Sequence, residues 1–294
     1  MNPYDLVEAL CDRLRRHYVW ADSVEAMCGA LRAPMPVALE GHAMAAWLTE
    51  RLQSVMPDRH LRVRWFDQMA ADTRTEDDEI ATRRRRQEAR VDHWGLVRVE
   101  RLDDGLIGLV EISEFYPAAW IDQPVAEAMT ALDGAGALVF DLRRCRGGEP
   151  DGVARVASHL FGAQPVHLND LFLRVEDRIE SFWTQTEAPG PRFTDAPVFV
   201  LVSSATFSAA EEFAYDLQAL GRGVVVGEIT RGGANPGEIH RLDDHFAVFI
   251  PDARAINPVT GGNWEGCGVQ PDVICPADQA LEVVTRLARA GLTP

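Results

Sequence analysis

The chain has 294 residues, 47% hydrophobic and 25% charged, enough apolar content to bury a core and unlike a disordered chain. Its formal charge of −16 argues against nucleic acid as a partner, because binding phosphates needs concentrated positive charge. All 29 basic residues are arginine, so any mechanism that requires a catalytic lysine is excluded.

Residues 4–56 read as helical, with "YDLVEALCDRLRRHYV" and "GHAMAAWLTERLQSVM" repeating apolar residues at three-and-four spacing around the break "RAPMP". His60–Phe66 alternates like a strand. From Asp67 to Arg90 the chain is polar, and the run Arg83–Arg86 beside Glu76–Glu79 reads as a solvated linker or helical excursion. "WGLVRVERL" and "GLIGLVEISEF" read as two strands of a hairpin around "DDG". A helix ("AWIDQPVAEAMTAL"), a buried strand ("GALVFDLR") and a loop entering a helix ("GGEPDGVARVASHLF") follow. Next come a strand ("APVFVLVSS"), a helix ("FSAAEEFAYDLQALG"), a strand ("RGVVVGE") and a last amphipathic helix closed by Gly291. This alternation predicts an α/β domain with parallel pairing. The expected division is a helical N-terminal subdomain over 1–66, a charged linker or excursion over 67–91 and an α/β catalytic domain over 92–294.

The five cysteines, Cys11, Cys28, Cys145, Cys267 and Cys275, are odd in number and contain no Cys-x-x-Cys pair, which fits a reducing compartment. "MNPYDLVEALCDRL" is amphipathic and acidic, unlike a signal peptide, and no apolar run approaches a membrane span. The expectation is a cytoplasmic protein without membrane association, metal or cofactor; the eight histidines are scattered. Gly-x-Ser-x-Gly, the Walker loop, the dinucleotide loop and His-Glu-x-x-His are all missing.

Ser208-x-x-Glu211 at a helix start has two readings. It is the pattern of a capping box, and the same place suits a nucleophile because the positive helix end favours an anion. A nucleophile needs a base, a group to orient it and oxyanion donors. Gly147 and Gly148 follow a buried strand and offer close backbone approach. His60 enters a strand beside Asp58 and Arg59, and Glu265 sits in the glycine-rich turn "NWEGCGVQPDV". Each of these residues alone also has an ordinary structural reading.

In order along the chain, "DRHLRV", "GLIGLVEISEF", "VFDLRRCRGG", "SSATFSAAEEFAY", "VVVGEITRGGANPG" and "NWEGCGVQPDV" resemble the serine peptidases of the C-terminal-processing and tricorn-core family. Within it, the segments look like the branch named for interphotoreceptor retinoid-binding protein. The resemblance implies a ClpP/crotonase-like mixed α/β core with the N-terminal helices as a cap. Processing members use a Ser–Lys pair, but Gly233 stands where that lysine falls. Tricorn-like members use Ser, His and Glu, which maps to Ser208 as nucleophile, His60 as general base and Glu265 as orienting carboxylate. Backbone N–H groups of Gly148 and Ala209 become the oxyanion hole, with Gly147 permitting the turn. Glu211 becomes a cap or supporting group, and Arg59 departs from the small polar residue that tricorn-like members often carry there. Between Asp67 and Asp92 there are too few residues for the PDZ domain of the processing peptidases.

The implied activity is hydrolysis of peptides through an acyl-enzyme, with a homo-oligomer left open. Two alternatives stand beside it: an idle module binding a retinoid or fatty acid, and an acyl hydrolase or cyclase acting on a small molecule or modified peptide.

Overall fold

Helix α1 (Pro3–His17) starts where Asn2 accepts the Asp5 N–H (2.9 Å) and Pro3 needs no N–H partner, and it buries Leu6, Val7, Leu10, Cys11 and Leu14 along one stripe. An isolated helix of this length is marginal in water, so that buried stripe holds it. The computed structural model describes residues 2–36, 39–67 and 78–291; residues 68–77 of the expected linker lie outside them.

The described chain divides into two compact units. The first comprises residues 1–80, 171–180 and 235–255. It contains α1, α2 (Val24–Leu31), α3 (Gly41–Val55) and a small antiparallel sheet. In that sheet β1 (Arg62–Trp65) pairs with β10 (Phe246–Pro251), which pairs with β9 (Gly237–Arg241). Leu10, Leu14, Met27, Leu31, Leu48 and Leu52 pack with Val248 and Ile250 in one core. The expected boundary at residue 66 falls short of this unit, which also takes in residues 171–180 and 235–255. The unit includes the later segment, in which Phe246–Phe249 pair with β1.

The second unit, residues 81–170, 181–234 and 256–294, is built on a six-stranded sheet. Its order is β12 (Val273–Ile274), β8 (Val224–Gly227), β7 (Val198–Val202), β4 (Ala137–Asp141), β3 (Ile107–Ile112), β2 (Leu96–Leu102). β2 and β3 are antiparallel and the other neighbours parallel, so the domain is mixed α/β. Every residue of β3, β4 and β7 is buried, as expected for strands covered on both faces. Ile107, Leu109, Val139, Phe199 and Leu201 pack with Ala280 and Val284 of α8 (Ala280–Arg289). On the alternate face Phe140 meets Phe213 of α7 (Ala209–Ala219), with ring centroids 5.0 Å apart. The remaining helices are α4 (Asp78–Val91), α5 (Ala118–Ala131) and α6 (Pro150–Ala157). The remaining strands are β5 (His167–Leu173), β6 (Arg178–Trp183) and β11 (Ala253–Ile256). No helix among the described residues is long and apolar enough to cross a membrane.

Candidate active site

β4 and β7 are parallel neighbours, with Asp141 opposite Leu201, so the loops at their carboxyl ends emerge side by side. Side chains lock the two loops together. Thr206 Oγ1 donates to the Leu142 carbonyl (2.9 Å), Ser203 Oγ to that of Arg143 (2.6 Å), and the Phe207 N–H to that of Cys145 (3.3 Å).

At the end of this arrangement Ser208 takes φ +58° and ψ −129°, a costly conformation for a residue with a side chain. Gly147 and Gly148 also have positive φ, +115° and +135°. A Cβ on Gly147 would fall 2.7 Å from Ser208 Cβ, and one on Gly148 would fall 2.0 Å from the Phe115 carbonyl oxygen. Both positions therefore require glycine. Phe115 donates its N–H to Gly147 O (2.8 Å) and accepts that of Glu149 (2.7 Å), which holds this turn as a short parallel ladder. Among the described residues the N–H groups of Gly148 and Ala209 are bonded to no acceptor. Unbonded backbone N–H groups of this kind can stabilise a developing negative charge.

Glu211 holds the serine's surroundings together. Its carboxylate is fully buried and accepts from Ser208 N (2.9 Å), Gly233 N (2.9 Å), Gly232 N (2.6 Å) and Thr230 Oγ1 (2.5 Å). Burial pushes this carboxyl above its ordinary value, while the four donors pull the other way. Glu211 is therefore the acidic half of a capping box and also a strut to the 230–233 loop. The Glu211 N–H is taken by the Ser208 carbonyl (2.7 Å).

Hydrogen bonds tie that loop to the turn that carries Glu265. Trp264, 2% exposed, donates its ring N–H to Gly233 O (2.8 Å), and the Glu265 carboxylate accepts the Ala234 N–H (2.6 Å). Gly233, where a processing peptidase would carry lysine, gives its N–H to Glu211 and its carbonyl to Trp264. Ser208, Gly147, Gly148, Ala209, Glu211 and Glu265 thus all lie in the second unit.

His60 lies in the first unit. Its N–H donates to Asp58 Oδ1 (3.0 Å), as does that of Leu61 (3.3 Å), and its ring stacks on Phe249 at 5.7 Å. Asp58 is 1% exposed, and its other oxygen accepts from Tyr18 OH (3.2 Å) and Asn235 Nδ2 (3.0 Å). Burial raises the Asp58 carboxyl, and these donors oppose the shift. Arg59 is exposed, and its carbonyl accepts from Arg62 Nε (2.9 Å). Within either unit alone, no three His, Cys, Asp or Glu side chains among the described residues converge as metal ligands.

Sequence reasoning assigned no role to Tyr18, Thr230 or Asn235. The only hint was that Thr230 and Asn235 bracket the glycine pair of "GEITRGGANPG".

Comparison with known proteins agrees with this architecture. A curated relative, the carboxyl-terminal-processing protease of Picosynechococcus sp. (strain ATCC 27264 / PCC 7002 / PR-6), is 27% identical over 172 residues, 58% of this chain. The chain spans 40% of that relative's length. A solved structure from Parabacteroides merdae ATCC 43184 superposes with TM-score 0.69 at 18% identity, covering 98% of this chain and 97% of that one. The tricorn protease superposes with TM-score 0.56 at 12% identity, covering 98% of this chain and 36% of that one. Both share the fold. The profile of peptidase family S41 matches residues 106–275, which contain Ser208, Glu265 and the Gly147–Gly148 turn, and the chain belongs to that family.

Proposed function

We propose that this protein is a serine peptidase that hydrolyses peptide bonds through an acyl-enzyme, using Ser208, His60 and Glu265. One observation carries the reading: Ser208 stands at positive φ at the start of α7 beside two unbonded backbone N–H groups. That geometry serves an attacking oxygen and the oxyanion it creates.

His60 takes the Ser208 proton as Oγ attacks the carbonyl carbon, and the oxyanion accepts hydrogen bonds from Gly148 and Ala209. The proton then passes from His60 to the leaving amine as the C–N bond breaks, leaving an ester on Ser208. Water, deprotonated by the same imidazole, releases the acid product. Glu265 holds the imidazole tautomer and stabilises its cation. The complete absence of lysine and the structural use of Gly233 favour this triad over the Ser–Lys chemistry of the processing branch.

A fluorophosphonate probe tests the reading. Labelling is expected at Ser208, located by mass, lost in Ser208→Ala and strongly slowed in His60→Ala. His93→Ala and His240→Ala are the controls, and both keep cleavage of a peptide library. Folded protein that stays unlabelled while binding a fatty acid overturns the peptidase reading in favour of a carrier.

A further inference from the structure

The oxyanion turn is held from outside the region that matches the family. α4 precedes residue 106, where the family match begins. From it, Arg85 Nη1 reaches Glu149 Oε1 (2.8 Å), and Arg85 Nη2 reaches Glu114 Oε1 (3.4 Å). Glu149 directly follows Gly148, and Glu114 directly precedes Phe115. These two carboxylates therefore flank the ladder in which Phe115 bonds Gly147 and Glu149. Each also feels the guanidinium electrostatically, and Glu149 repels Glu114. Just past the helix, Asp92 accepts from Ser113 Oγ (2.7 Å) and Gly95 O accepts the Ser113 N–H (2.9 Å), next to Glu114 in the chain.

We propose that Arg85 is a positioning residue for the oxyanion hole: its guanidinium joins Glu114 to Glu149 and so fixes the Gly148 N–H against the nucleophile. The inference rests on the peptidase reading above. Without the cation, two carboxylates on adjoining segments repel each other, and the segments they terminate carry the donor. Glycine at 148 makes the turn sensitive to such a push, since it has no side chain to anchor it and its immediate neighbours Gly147 and Glu149 are bonded to the Phe115 backbone. Arg85 is largely exposed, with 44% of its side-chain surface open, so its expected contribution to global stability is small. Its contribution to the placement of one donor is a separate quantity, and rate reads it.

The test is the second-order rate of Ser208 labelling by a fluorophosphonate, with kcat and KM on a peptide ester and the melting temperature alongside. Arg85→Met is expected to slow labelling and kcat by roughly 10-fold, below the loss of a whole oxyanion donor, with KM and melting temperature close to wild type. Arg85→Lys restores part of the rate. Glu149→Gln, which leaves Arg85 in place, slows labelling by about 3-fold, and Arg85→Met/Glu149→Gln is no slower than Arg85→Met, because both changes break one linkage. Wild-type rates in a folded Arg85→Met, or strictly additive effects in the double variant, overturn the clamp. Should Arg85→Met fail to fold, Glu149→Gln decides: unchanged labelling overturns the proposal and slower labelling at unchanged KM supports it. If wild-type protein itself does not label, the peptidase reading falls, and the clamp falls with it.

Discussion

Two successive residues of α7, Glu211 and Glu212, are both buried carboxyls, and their surroundings differ completely. Glu211 accepts from four donors in two segments of the chain, Ser208 and the 230–233 loop. Glu212 faces Asp216, one helical turn on, and Asn169; among the described residues its Oε1 has no hydrogen-bond partner, nor has Asp216 Oδ2. No cation is among the groups that perturb either member of the pair. Burial pushes Glu212 up to about 8, and Asp216 is raised by burial and by Glu212. The contrast shows that burial alone does not decide what a carboxyl does: the number of donors aimed at it does. Glu211 joins loops through the donors it accepts, whereas Glu212 has few donors and burial favours its protonated form.

Removing Glu211 is expected to have the largest effect. Glu211→Ala leaves buried donors of Ser208, Thr230, Gly232 and Gly233 without an acceptor, at a cost of about 3–5 kcal/mol. Ser208 labelling falls at least ~100-fold, because the strained Ser208 backbone loses its tether. Urea denaturation and probe kinetics measure the two effects. If Glu211→Ala proved no worse than Glu212→Ala, the contrast would be broken.

The pH dependence of stability sharpens the other side. Glu212 ordinarily titrates near 4.5 and in the folded protein near 8, so the folded state holds the extra proton between those values. Its contribution to stability is complete below pH 4.5, declines as pH rises towards about 8 and is level above. The expected loss is on the order of a few kcal/mol. Glu212→Gln flattens that decline relative to wild type when urea midpoints are compared between pH 5 and pH 9. A variant that declined as steeply as wild type would remove Glu212 as the cause.

The smallest expected effect comes from one donor of the Glu211 set. Thr230→Val removes the hydroxyl that donates to Glu211 and accepts the Val269 N–H (2.7 Å), at about 1–2 kcal/mol. Labelling changes less than in Glu211→Ala, because three backbone and side-chain links to the serine's helix persist. A loss equal to that of Glu211→Ala would show that the hydroxyl, not the carboxylate, organises the loop.

Most of the sheet domain was legible. Apolar runs such as Val198–Val202 and the periodicity of Ala280–Arg289 are local signals, and the structure forms a strand and a helix there. Strands β5, β6 and β9–β12 were not read; in β6, for example, every residue is exposed or half-buried, so no apolar run marks it. The run Arg83–Arg86 reads as solvated charge because sequence holds no sign that Glu114 and Glu149 converge on Arg85. At the site, Ser208 with Glu211 was legible as either a cap or a nucleophile. Spacing alone does not reveal that Glu211 does the capping and that Ser208 has positive φ. The Tyr18–Asp58–Asn235 cluster was illegible for the same reason as β1–β10 pairing, since its members are far apart in the chain.

The most direct test of the peptidase account is to trap the acyl-enzyme. Folded protein is mixed with the p-nitrophenyl ester of a blocked amino acid, quenched in acid, and mapped by mass. The account predicts a burst of nitrophenolate and an acyl adduct on Ser208, absent in Ser208→Ala and formed far more slowly in His60→Ala. No adduct on Ser208, or an adduct on another residue that Ser208→Ala leaves intact, would contradict it.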